Sequence, residues 1–208
     1  MPVNPERPGL RERKKLKTRA AIRKATYRLV AEQGYDATTI DQIAAAAEVS
    51  PSTVVRYFPV KEDILLTDDQ DELMLARLRA RPAGEEPLES LRAVVLDAVT
   101  AALAREPAET RLRARLVVEN PAVRARLTET TAETGRLLSA AVAERTGRSA
   151  DALEVRVFTA AVLGALREAT VYWAGHGGAD ADLVPLLDRT VDTLKTGLTL
   201  RSPGRARP

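Results

Sequence analysis

The amino-acid sequence predicts an all-α protein of about nine helices, and three observations lead to this prediction. Alanine, leucine, valine, arginine and glutamate are abundant while aromatic residues make up only 3% of the chain, a composition typical of helical proteins with few strands. Apolar residues recur at the spacing of one helix face along most of the sequence. Prolines and glycines fall between these periodic segments, where helices begin and end.

Composition also limits the kind of function. Because the chain has no cysteine and one histidine, we expect no disulfide, no thiol nucleophile, no cysteine-ligated zinc and no histidine-rich metal site. We also expect no cofactor. The acidic run at 68–72 could suggest a metal, but a contiguous run on a helix points around all faces, so we interpret it as solvated surface. No nucleophile-elbow, phosphate-loop or zinc-hydrolase spacing is present, and we do not expect an enzyme.

No membrane or secretion signal is expected either. No segment reaches the roughly 18 uninterrupted apolar residues that a membrane span needs. The N-terminal residues are polar and contain no apolar core of a signal peptide. We therefore expect a cytoplasmic protein.

Positive charge is concentrated at the N-terminal end. Residues 1–61 carry twelve Lys and Arg against six Asp and Glu, a net +6, which leaves 20 basic and 23 acidic residues, a net −3, for 62–208. This asymmetry favours nucleic-acid binding, although a basic segment can also be ordinary soluble surface. We expect residues 1–15 to form a flexible basic arm, and the run RERKKLKTR at 11–19, with Lys17, is dense enough to lie against phosphates.

The stretch TTIDQIAAAAEVSPSTVVRYFPVK at 38–61 predicts a helix-turn-helix. A first helix precedes it, from about Leu16 to Gln33, and Gly34 is expected to end that helix. Thr39 can cap the second helix, and Gln42 three residues later completes a capping-box pattern.

A tight turn and a short third helix complete the motif. Glu48 and Val49 form the turn, Ser50 is a good N-cap, and Pro51 stands at the first helical position, where its missing N–H costs nothing. The helix is expected to run to about Tyr57. This third helix of the chain is the second helix of the motif. In a helix-turn-helix, the N-terminal half of that second helix enters the major groove of DNA.

The third helix has one face suited to a core and one suited to DNA. Val54 and Phe58 are spaced for burial, whereas Arg56 can form a bidentate contact to guanine and Val55 can touch a thymine methyl. Hydroxyls and an ammonium nearby suit bases or phosphates. The candidate DNA-contacting residues are Lys17, Thr38, Thr39, Ser50, Ser52, Thr53, Val55, Arg56, Tyr57 and Lys61.

Helical spacing continues to the end of the chain. One longer helix is expected at 60–79, followed by a linker at 81–87 with two prolines and a glycine. Further helices are expected at 88–105, 107–118, 121–146, 150–174 and 182–200. We assign a helix-turn-helix domain to 16–62, an effector-binding and dimerisation domain to 63–201, and a disordered tail to 202–208.

Residues 19–66, with the spaced pattern G-Y-x-x-T-T-x-x-x-I-A-x-x-A-x-V-S-x-x-T-V-x-x-Y-F-x-x-K-E, closely resemble the N-terminal DNA-binding domain of the TetR (tetracycline-repressor) family. The resemblance implies homodimers on palindromic operators and a helical C-terminal domain that binds a small molecule. By motif position, Thr39, Tyr57 and Lys61 take the usual phosphate-contacting places.

Three positions depart from the family pattern. Glu48 stands where the family usually has the turn glycine, and a non-glycine residue at positive φ costs roughly 1 kcal/mol. Val55 stands where a DNA-contacting tyrosine is usual, and Ser52 replaces a common glycine or alanine. The operator sequence therefore does not follow by analogy.

The last two helices are expected to form the two-fold interface that reading a palindrome requires. Small residues on one helix and a leucine-rich stripe on the other suit a four-helix bundle, although both could be ordinary monomer core. The candidate interface residues are Ala161, Gly164, Ala165, Leu187, Val191 and Leu194.

The middle helices are expected to enclose a small hydrophobic effector, although the same apolar positions describe any helical core. The candidate ligand-binding residues are Leu116, Asn120, Val123, Leu127, Phe158, Val162, Glu168, Tyr172 and Trp173. The pattern TVVRYFPVKED followed by LRARP resembles an actinobacterial subgroup, some of whose members sense acyl-coenzyme A thioesters or other hydrophobic metabolites. The arginines that could bind such a thioester, at 111, 113, 115, 124 and 126, equally suit solvated helix faces paired with glutamates.

Two functions remain open from the sequence. The leading hypothesis is a ligand-responsive transcriptional repressor. The alternative is an architectural or occlusion protein that binds DNA with the same motif but does not regulate transcription in response to a ligand.

Overall fold

The computed structural model describes residues 9–66, 71–176 and 183–198, and within these ranges it contains ten α-helices and no strand. The first eight residues of the expected arm, residues 68–70 of the acidic run and the expected tail at 202–208 lie outside the described residues. The helices are α1 (Leu10–Gln33), α2 (Ile40–Ala46), α3 (Pro51–Tyr57), α4 (Lys61–Leu66), α5 (Asp71–Ala80), α6 (Pro87–Arg105), α7 (Pro107–Glu119), α8 (Pro121–Thr146), α9 (Leu153–Gly175) and α10 (Leu183–Lys195).

The chain divides into two compact units, Met1–Thr67 and Asp68–Pro208. The all-α prediction is confirmed, but two helices, α4 and α5, stand in place of the single helix expected at 60–79. The expected domain boundary after residue 62 would cut through α4, whose Ile64 is fully buried in the core of the first unit.

In the first unit, α1 begins at Leu10 rather than near Leu16, so the second part of the expected flexible arm is helical. Arginine, lysine, leucine and glutamate are strong helix formers, which explains the early start. The buried face of α1 carries Ile22, Thr26 and Val30, each at most 3% exposed. Around it the core of the unit consists of Ile22, Ile43, Ala44, Val54, Phe58 and Ile64.

The second unit contains two apolar clusters that share α9. The first cluster joins α5, α6, α8 and α9 through Leu78, Leu91, Val94, Leu138, Ala141, Val142, Val155 and Val162. The second joins α7, α9 and α10 through Ala114, Ala169, Trp173, Leu183 and Leu187. Each helix of the unit therefore buries one face against its neighbours.

Arg145 near the end of α8 fastens the connection between α5 and α6. Its guanidinium donates hydrogen bonds to the carbonyls of Leu78, Arg81, Pro82 and Glu85. The carbonyls at the end of a helix lack partners within it, and here an arginine from another helix satisfies them. The C-terminal end of α5 is thereby fixed to α8.

Among the described residues, no helix combines the length and hydropathy needed to traverse a bilayer. Over the same ranges, no group of three or more histidine, aspartate or glutamate side chains is placed to hold a metal ion.

Candidate nucleic-acid interface and effector cavity

The second helix of the motif begins with the capping box that the sequence predicts. The Gln42 amide donates to Thr39 Oγ1 at 3.2 Å, and the Thr39 amide donates to Gln42 Oε1 at 2.9 Å. This reciprocal pair satisfies two amides that the helix itself leaves without partners. Ile43 and Ala44 then bury the inner face of α2.

The turn between α2 and α3 places Glu48 in the left-handed region, with φ of 56°. The Glu48 amide donates to the Ala45 carbonyl at 3.2 Å, and the Val49 amide donates to the Ala44 carbonyl at 3.0 Å. The turn therefore keeps its hydrogen bonds although a glutamate occupies the position that favours glycine. The strain expected at this residue is present in the backbone.

Ser50 caps α3 as predicted, since its Oγ accepts a hydrogen bond of 3.2 Å from the Thr53 amide. The same Oγ lies 2.9 Å from the hydroxyls of Ser52 and of Thr53. Pro51 occupies the first turn. The three hydroxyls thus form one small polar cluster at the N-terminal end of the helix.

One face of α3 is exposed while the other is anchored. Val54 and Phe58 are 0% and 1% exposed, whereas Val55 is 48% exposed and Arg56 is also exposed. The Arg56 guanidinium lies 5.4 Å from the centre of the half-buried Tyr57 ring. A short helix held by buried anchors and carrying hydrogen-bonding and apolar side chains outward has the form needed for reading base edges.

Arg19, on α1, contacts α3. The sequence analysis missed this contact because it considered Arg19 only as part of the basic run. Its guanidinium lies 4.6 Å from the centre of the Phe58 ring and donates to the Tyr57 carbonyl at 3.4 Å. The spacing of Arg19 in the sequence indicates this position. It stands three residues before the buried Ile22, which places it on the inner face of α1. Lys17, by contrast, is exposed.

Thr38 does not have the surface position expected of a phosphate-contacting residue. It is 1% exposed, and its hydroxyl donates to the Gly34 carbonyl at 2.8 Å. Gly34 ends α1 with a positive φ of 86°, and this turn directs Thr38 inward. Thr39, its neighbour, remains exposed.

Lys61 is also used within the unit rather than extended toward solvent. Its ammonium donates to the carbonyls of Tyr35 and Thr38, both at 2.9 Å, and lies 3.9 Å from the centre of the Tyr35 ring. Two of its three N–H groups are therefore occupied. The ammonium thus links α4 to the segment that joins α1 to α2.

Tyr35 belongs to the same arrangement and was missed in the sequence. It is 7% exposed, and its hydroxyl donates to Glu62 Oε1 at 2.6 Å. Burial, followed by the hydrogen bond to the Glu62 carboxylate, raises the pKa of the Tyr35 phenol. The phenol accordingly stays protonated and acts as a donor.

The second unit contains a cavity of about 210 Å³ between α5, α6, α8 and α9. Of the expected ligand-binding residues, Val162 lines it. The lining consists of Met74, Leu75, Leu78, Leu91, Val94, Val95, Thr134, Leu137, Leu138, Val162, Leu163 and Leu166. The cavity therefore lies beside the first apolar cluster of the unit.

The other expected ligand-binding residues lie elsewhere. Asn120 caps α8, because its Oδ1 accepts hydrogen bonds from the amides of Ala122 and Val123 at 3.0 and 3.2 Å. Trp173 is 2% exposed in the second cluster, where α9 packs on α7 and α10. None of the following lines the cavity: Leu116, Asn120, Val123, Leu127, Phe158, Glu168, Tyr172 and Trp173.

The arginines at 111, 113, 115, 124 and 126 do not line the cavity either. Arg115 pairs with Glu119, Arg126 pairs with Glu129, and Arg124 donates to the Val118 carbonyl at 2.9 Å. Arg115 and Arg126 therefore pair with nearby glutamates, as the interpretation as solvated helix faces predicts, whereas Arg124 binds a carbonyl.

The expected interface residues divide between the two sides of their helices. Ala161 and Gly164 are exposed on α9, on a face that also carries Val157 at 57% and Tyr172 at 51% exposure. The Tyr172 ring stacks on His176 with 4.0 Å between ring centres. Ala165, half-buried, lies beside this face and lines an open groove of about 590 Å³ between α9 and α10.

Leu187 and Val191 correct the interface prediction for α10, because each is only 2% exposed. Leu187 packs with Trp173 and Leu183, and the half-buried Leu194 packs against the first cluster. The leucine-rich stripe of α10 therefore faces the core of its own unit, which was the alternative left open by the sequence.

Two family models match the chain. One, described as "Bacterial regulatory proteins, tetR family", matches residues 22–67, and the other, described as "MftR C-terminal domain", matches residues 85–199. Both the helix-turn-helix and most of the second unit are therefore covered.

Two curated relatives are similar to parts of the chain. The HTH-type transcriptional regulator TcmR of Streptomyces glaucescens is 46% identical over 89 residues, which are 42% of this chain and 39% of TcmR. The HTH-type transcriptional repressor KstR of Rhodococcus jostii is 33% identical over 98 residues, 47% of this chain and 46% of KstR. The chain thus spans less than half the length of these relatives.

A solved structure matches over nearly the whole chain. The crystal structure of Thermus thermophilus FadR, a TetR-family transcriptional repressor in complex with lauroyl-CoA, has a TM-score of 0.56 and 25% identity. The match covers 91% of this chain and 100% of that one. The matched family and relatives are transcriptional regulators rather than enzymes.

Proposed function

This chain belongs to the TetR family of bacterial regulatory proteins, and on that premise we propose that it is a dimeric transcriptional repressor, released from a palindromic operator by a small hydrophobic effector. The observation that supports this most strongly is the exposed face of α3, held over the buried Val54 and Phe58. We further propose that it acts in the cytoplasm, with the first unit, Met1–Thr67, binding DNA and the second unit, Asp68–Pro208, binding the effector and the second subunit.

Base reading is assigned to the exposed residues of α3. Arg56 is placed to form a bidentate contact with guanine, and Val55 offers an apolar contact to a thymine methyl. Ser52 and Thr53 lie at the N-terminal end of the helix, where hydroxyls reach bases or phosphates. These four residues set the operator sequence.

Phosphate contacts are assigned to residues around this face. Lys17 and Thr39 are exposed on α1 and before α2, and the half-buried Tyr57 keeps its ring near Arg56. Each contact to a phosphate fixes the register of the protein on the DNA, but it does not depend on the base sequence. Thr38 is left out of this set, and Lys61 acts by shaping the entry to α2.

Dimerisation is assigned to the outer face of α9. Gly164 lies in the interior of a 23-residue helix, where glycine costs roughly 1 kcal/mol relative to alanine. Apart from its two chain neighbours and the nearby backbone of its own helix, no heavy atom of the described residues lies within 4 Å of the position that a Cβ would take. Because packing within the subunit does not require a glycine here, close approach of the same helix from a second subunit is a physical reason for it.

Effector binding is assigned to the cavity of about 210 Å³. One of its walls is α5, the first helix of the second unit, which follows the DNA-binding unit in sequence. A molecule that binds one arrangement of α5 better than another would shift the equilibrium between DNA-competent and released forms. By linkage, DNA then weakens effector binding by the same factor. FadR of Thermus thermophilus was solved with lauroyl-CoA, so acyl-coenzyme A thioesters are among the effectors to test.

The experiment that tests DNA reading is selection of bound DNA from a random duplex library with the full-length protein, Arg56→Ala and Lys17→Ala. We expect the wild type to select a palindrome. Arg56→Ala should relax preference at one position per half-site and cost about 1–3 kcal/mol on the selected operator, whereas Lys17→Ala should weaken all sequences alike and lower the salt slope by about one. Absence of any enriched sequence would refute the proposal, and occupancy of many dispersed genomic sites without ligand response would favour the architectural alternative.

A further inference from the structure

Residues of four helices line the cavity in the second unit, and the lining is almost entirely apolar. Met74, Leu75 and Leu78 come from α5, while α6, α8 and α9 supply the other walls. Among the lining residues, all of which belong to the described part of the chain, Thr134 is the only one with a polar side chain. Its hydroxyl donates to the Thr130 carbonyl at 3.2 Å, so the hydrogen of that hydroxyl is already used.

The absence of a charged or freely donating group from the lining limits what can be buried there. A hydroxyl or amide moved from water into an apolar space without a partner loses free energy, and an ion loses much more. A hydrocarbon group gains in the same transfer in proportion to the area it buries. The lining therefore favours hydrocarbon over any polar group of equal size.

The volume of about 210 Å³ limits the size of that group. An engineered apolar cavity of about 150 Å³ in another protein binds benzene, which has six heavy atoms. Scaling by volume, this cavity accommodates about eight heavy atoms. A benzene ring with a two-carbon substituent, or a chain of similar length, fills it.

Leu137 on α8 marks where such a group can enter. It lines the cavity and is nevertheless 45% exposed, whereas its neighbour Leu138 in the lining is 6% exposed. A larger molecule can therefore leave a polar part outside near Leu137 while its apolar end occupies the cavity.

We propose that the cavity selects an uncharged, purely hydrocarbon group of about eight heavy atoms, which enters past Leu137 and is held without any hydrogen bond. This inference rests on the proposed function, because it names the chemical class that the effector site accepts. It predicts an effector with a short apolar end. Every heteroatom placed inside the cavity should lower the affinity.

The test measures binding directly, by calorimetry and thermal shift, on the full-length protein without DNA. The probes are benzene, ethylbenzene, butylbenzene and hexylbenzene, together with benzyl alcohol and benzoate. Ethylbenzene, with eight heavy atoms, is expected to bind most tightly or equally with butylbenzene, and hexylbenzene no more tightly than ethylbenzene, because the rest of its chain stays outside the cavity. Benzyl alcohol, of the same size as ethylbenzene, should bind about fivefold to a hundredfold more weakly because its hydroxyl leaves water and meets no charged or freely donating group in the lining.

Two variants locate the binding. Leu137→Trp narrows the entry at a partly exposed position, and Val95→Phe fills the cavity from the half-buried side of α6. Each should reduce ethylbenzene affinity at least tenfold. Leu153→Trp is the matched control, since Leu153 is 72% exposed on α9 and does not line the cavity. Circular dichroism identifies any variant that fails to fold. In that case the ethylbenzene affinity of the other, folded variant tests the location of binding.

The outcomes separate this inference from the proposed function. Tighter binding of benzyl alcohol, benzoate or hexylbenzene than of ethylbenzene, or unchanged affinity in both folded variants, overturns the inference. If ethylbenzene binds as expected but neither it nor larger molecules release the selected operator, the cavity assignment stands and the effector-released repressor fails. If another molecule releases DNA without competing with ethylbenzene, the repressor stands and the cavity assignment fails.

Discussion

The Lys61 ammonium lies 3.9 Å from the centre of the Tyr35 ring and donates a 2.9 Å hydrogen bond to the carbonyl of the same residue. The two residues belong to α4 and to the segment after α1, 26 positions apart in sequence. With the second bond from Lys61 to the Thr38 carbonyl, the side chain fixes the backbone that leads to Thr39, the cap of α2. The start of the stretch at 38–61 is thus positioned by its last residue.

Replacing Lys61 with methionine is therefore expected to lower stability. Lys61→Met keeps the aliphatic stem but leaves two carbonyls without their charged donor, a loss of about 1.5–3 kcal/mol. The measurement is urea unfolding followed by circular dichroism. Lys17→Met, at an exposed position of α1, is the control and should change stability by less than about 0.5 kcal/mol. If Lys61→Met kept full stability and lowered the salt slope of DNA binding by about one, Lys61 would be a phosphate contact after all.

A glycine at position 48 is expected to stabilise the protein. Glu48 has a φ of 56°, which glycine adopts without the clash of a Cβ, and the gain should be about 0.4–1 kcal/mol after the entropy of the unfolded chain is counted. The urea midpoint of Glu48→Gly should rise. Lys24→Gly, at an exposed position in the interior of α1, is the matched control, and its free energy of unfolding should fall by about 1 kcal/mol. Equal losses in both variants would show that the turn stores no relievable strain.

Glu85 is expected to make stability depend on acid pH. Hydrogen bonds from Arg81 and from the Ser90 hydroxyl lower the pKa of Glu85 to about 2. Because the folded-state pKa is lower than the unfolded value of 4.5, the contribution is complete above about pH 4.5 and is lost as the pH falls toward 2.

The check is a comparison of urea midpoints for wild type and Glu85→Gln at pH 7, 4 and 2.5. The wild type should be more stable at pH 7, and the difference between the two proteins should shrink steadily toward pH 2.5. A difference that stayed constant across this range would show that the Glu85 carboxylate contributes through packing rather than charge.

Gly164 is expected to control the oligomeric state without affecting the fold. The place of its Cβ is open within the subunit, so Gly164→Arg should keep its helicity while sedimentation velocity shows monomers and operator affinity falls at least tenfold. Ala132→Arg, at an exposed position of α8, is the control and should stay dimeric. A stable Gly164→Arg dimer with normal operator affinity would place the interface on another face.

The local features of this fold were predictable because they depend on residues close in sequence. The capping box of Thr39 and Gln42, the Ser50 cap and the chain reversal at Gly34 each involve groups at most four positions apart. The bounds of α6, α7 and α8 agree with the expected ranges to within one residue, because prolines open all three helices. The positive φ of Glu48 also followed from the motif.

The orientation of side chains toward distant parts of the chain was not predictable in the same way. Helical spacing identified the leucine-rich stripe of α10, but only the packing of α9 shows that Leu187 faces inward. Asn120 is a candidate ligand contact from the sequence, whereas in the structure its side chain caps α8. Periodicity defines a face but does not say whether a neighbouring helix, a second subunit or a ligand covers it.

The sequence by itself determined the all-α class, the helix-turn-helix at 38–61 and the exposed face of α3, since spacing, caps and breakers are local properties. Only the tertiary structure decided that Thr38 is buried, that Lys61 binds two carbonyls, and that the cavity lies between α5, α6, α8 and α9. The physical reason is that a hydrogen-bond partner or a cavity wall can come from any part of the chain. Which part supplies it is settled by how the helices pack.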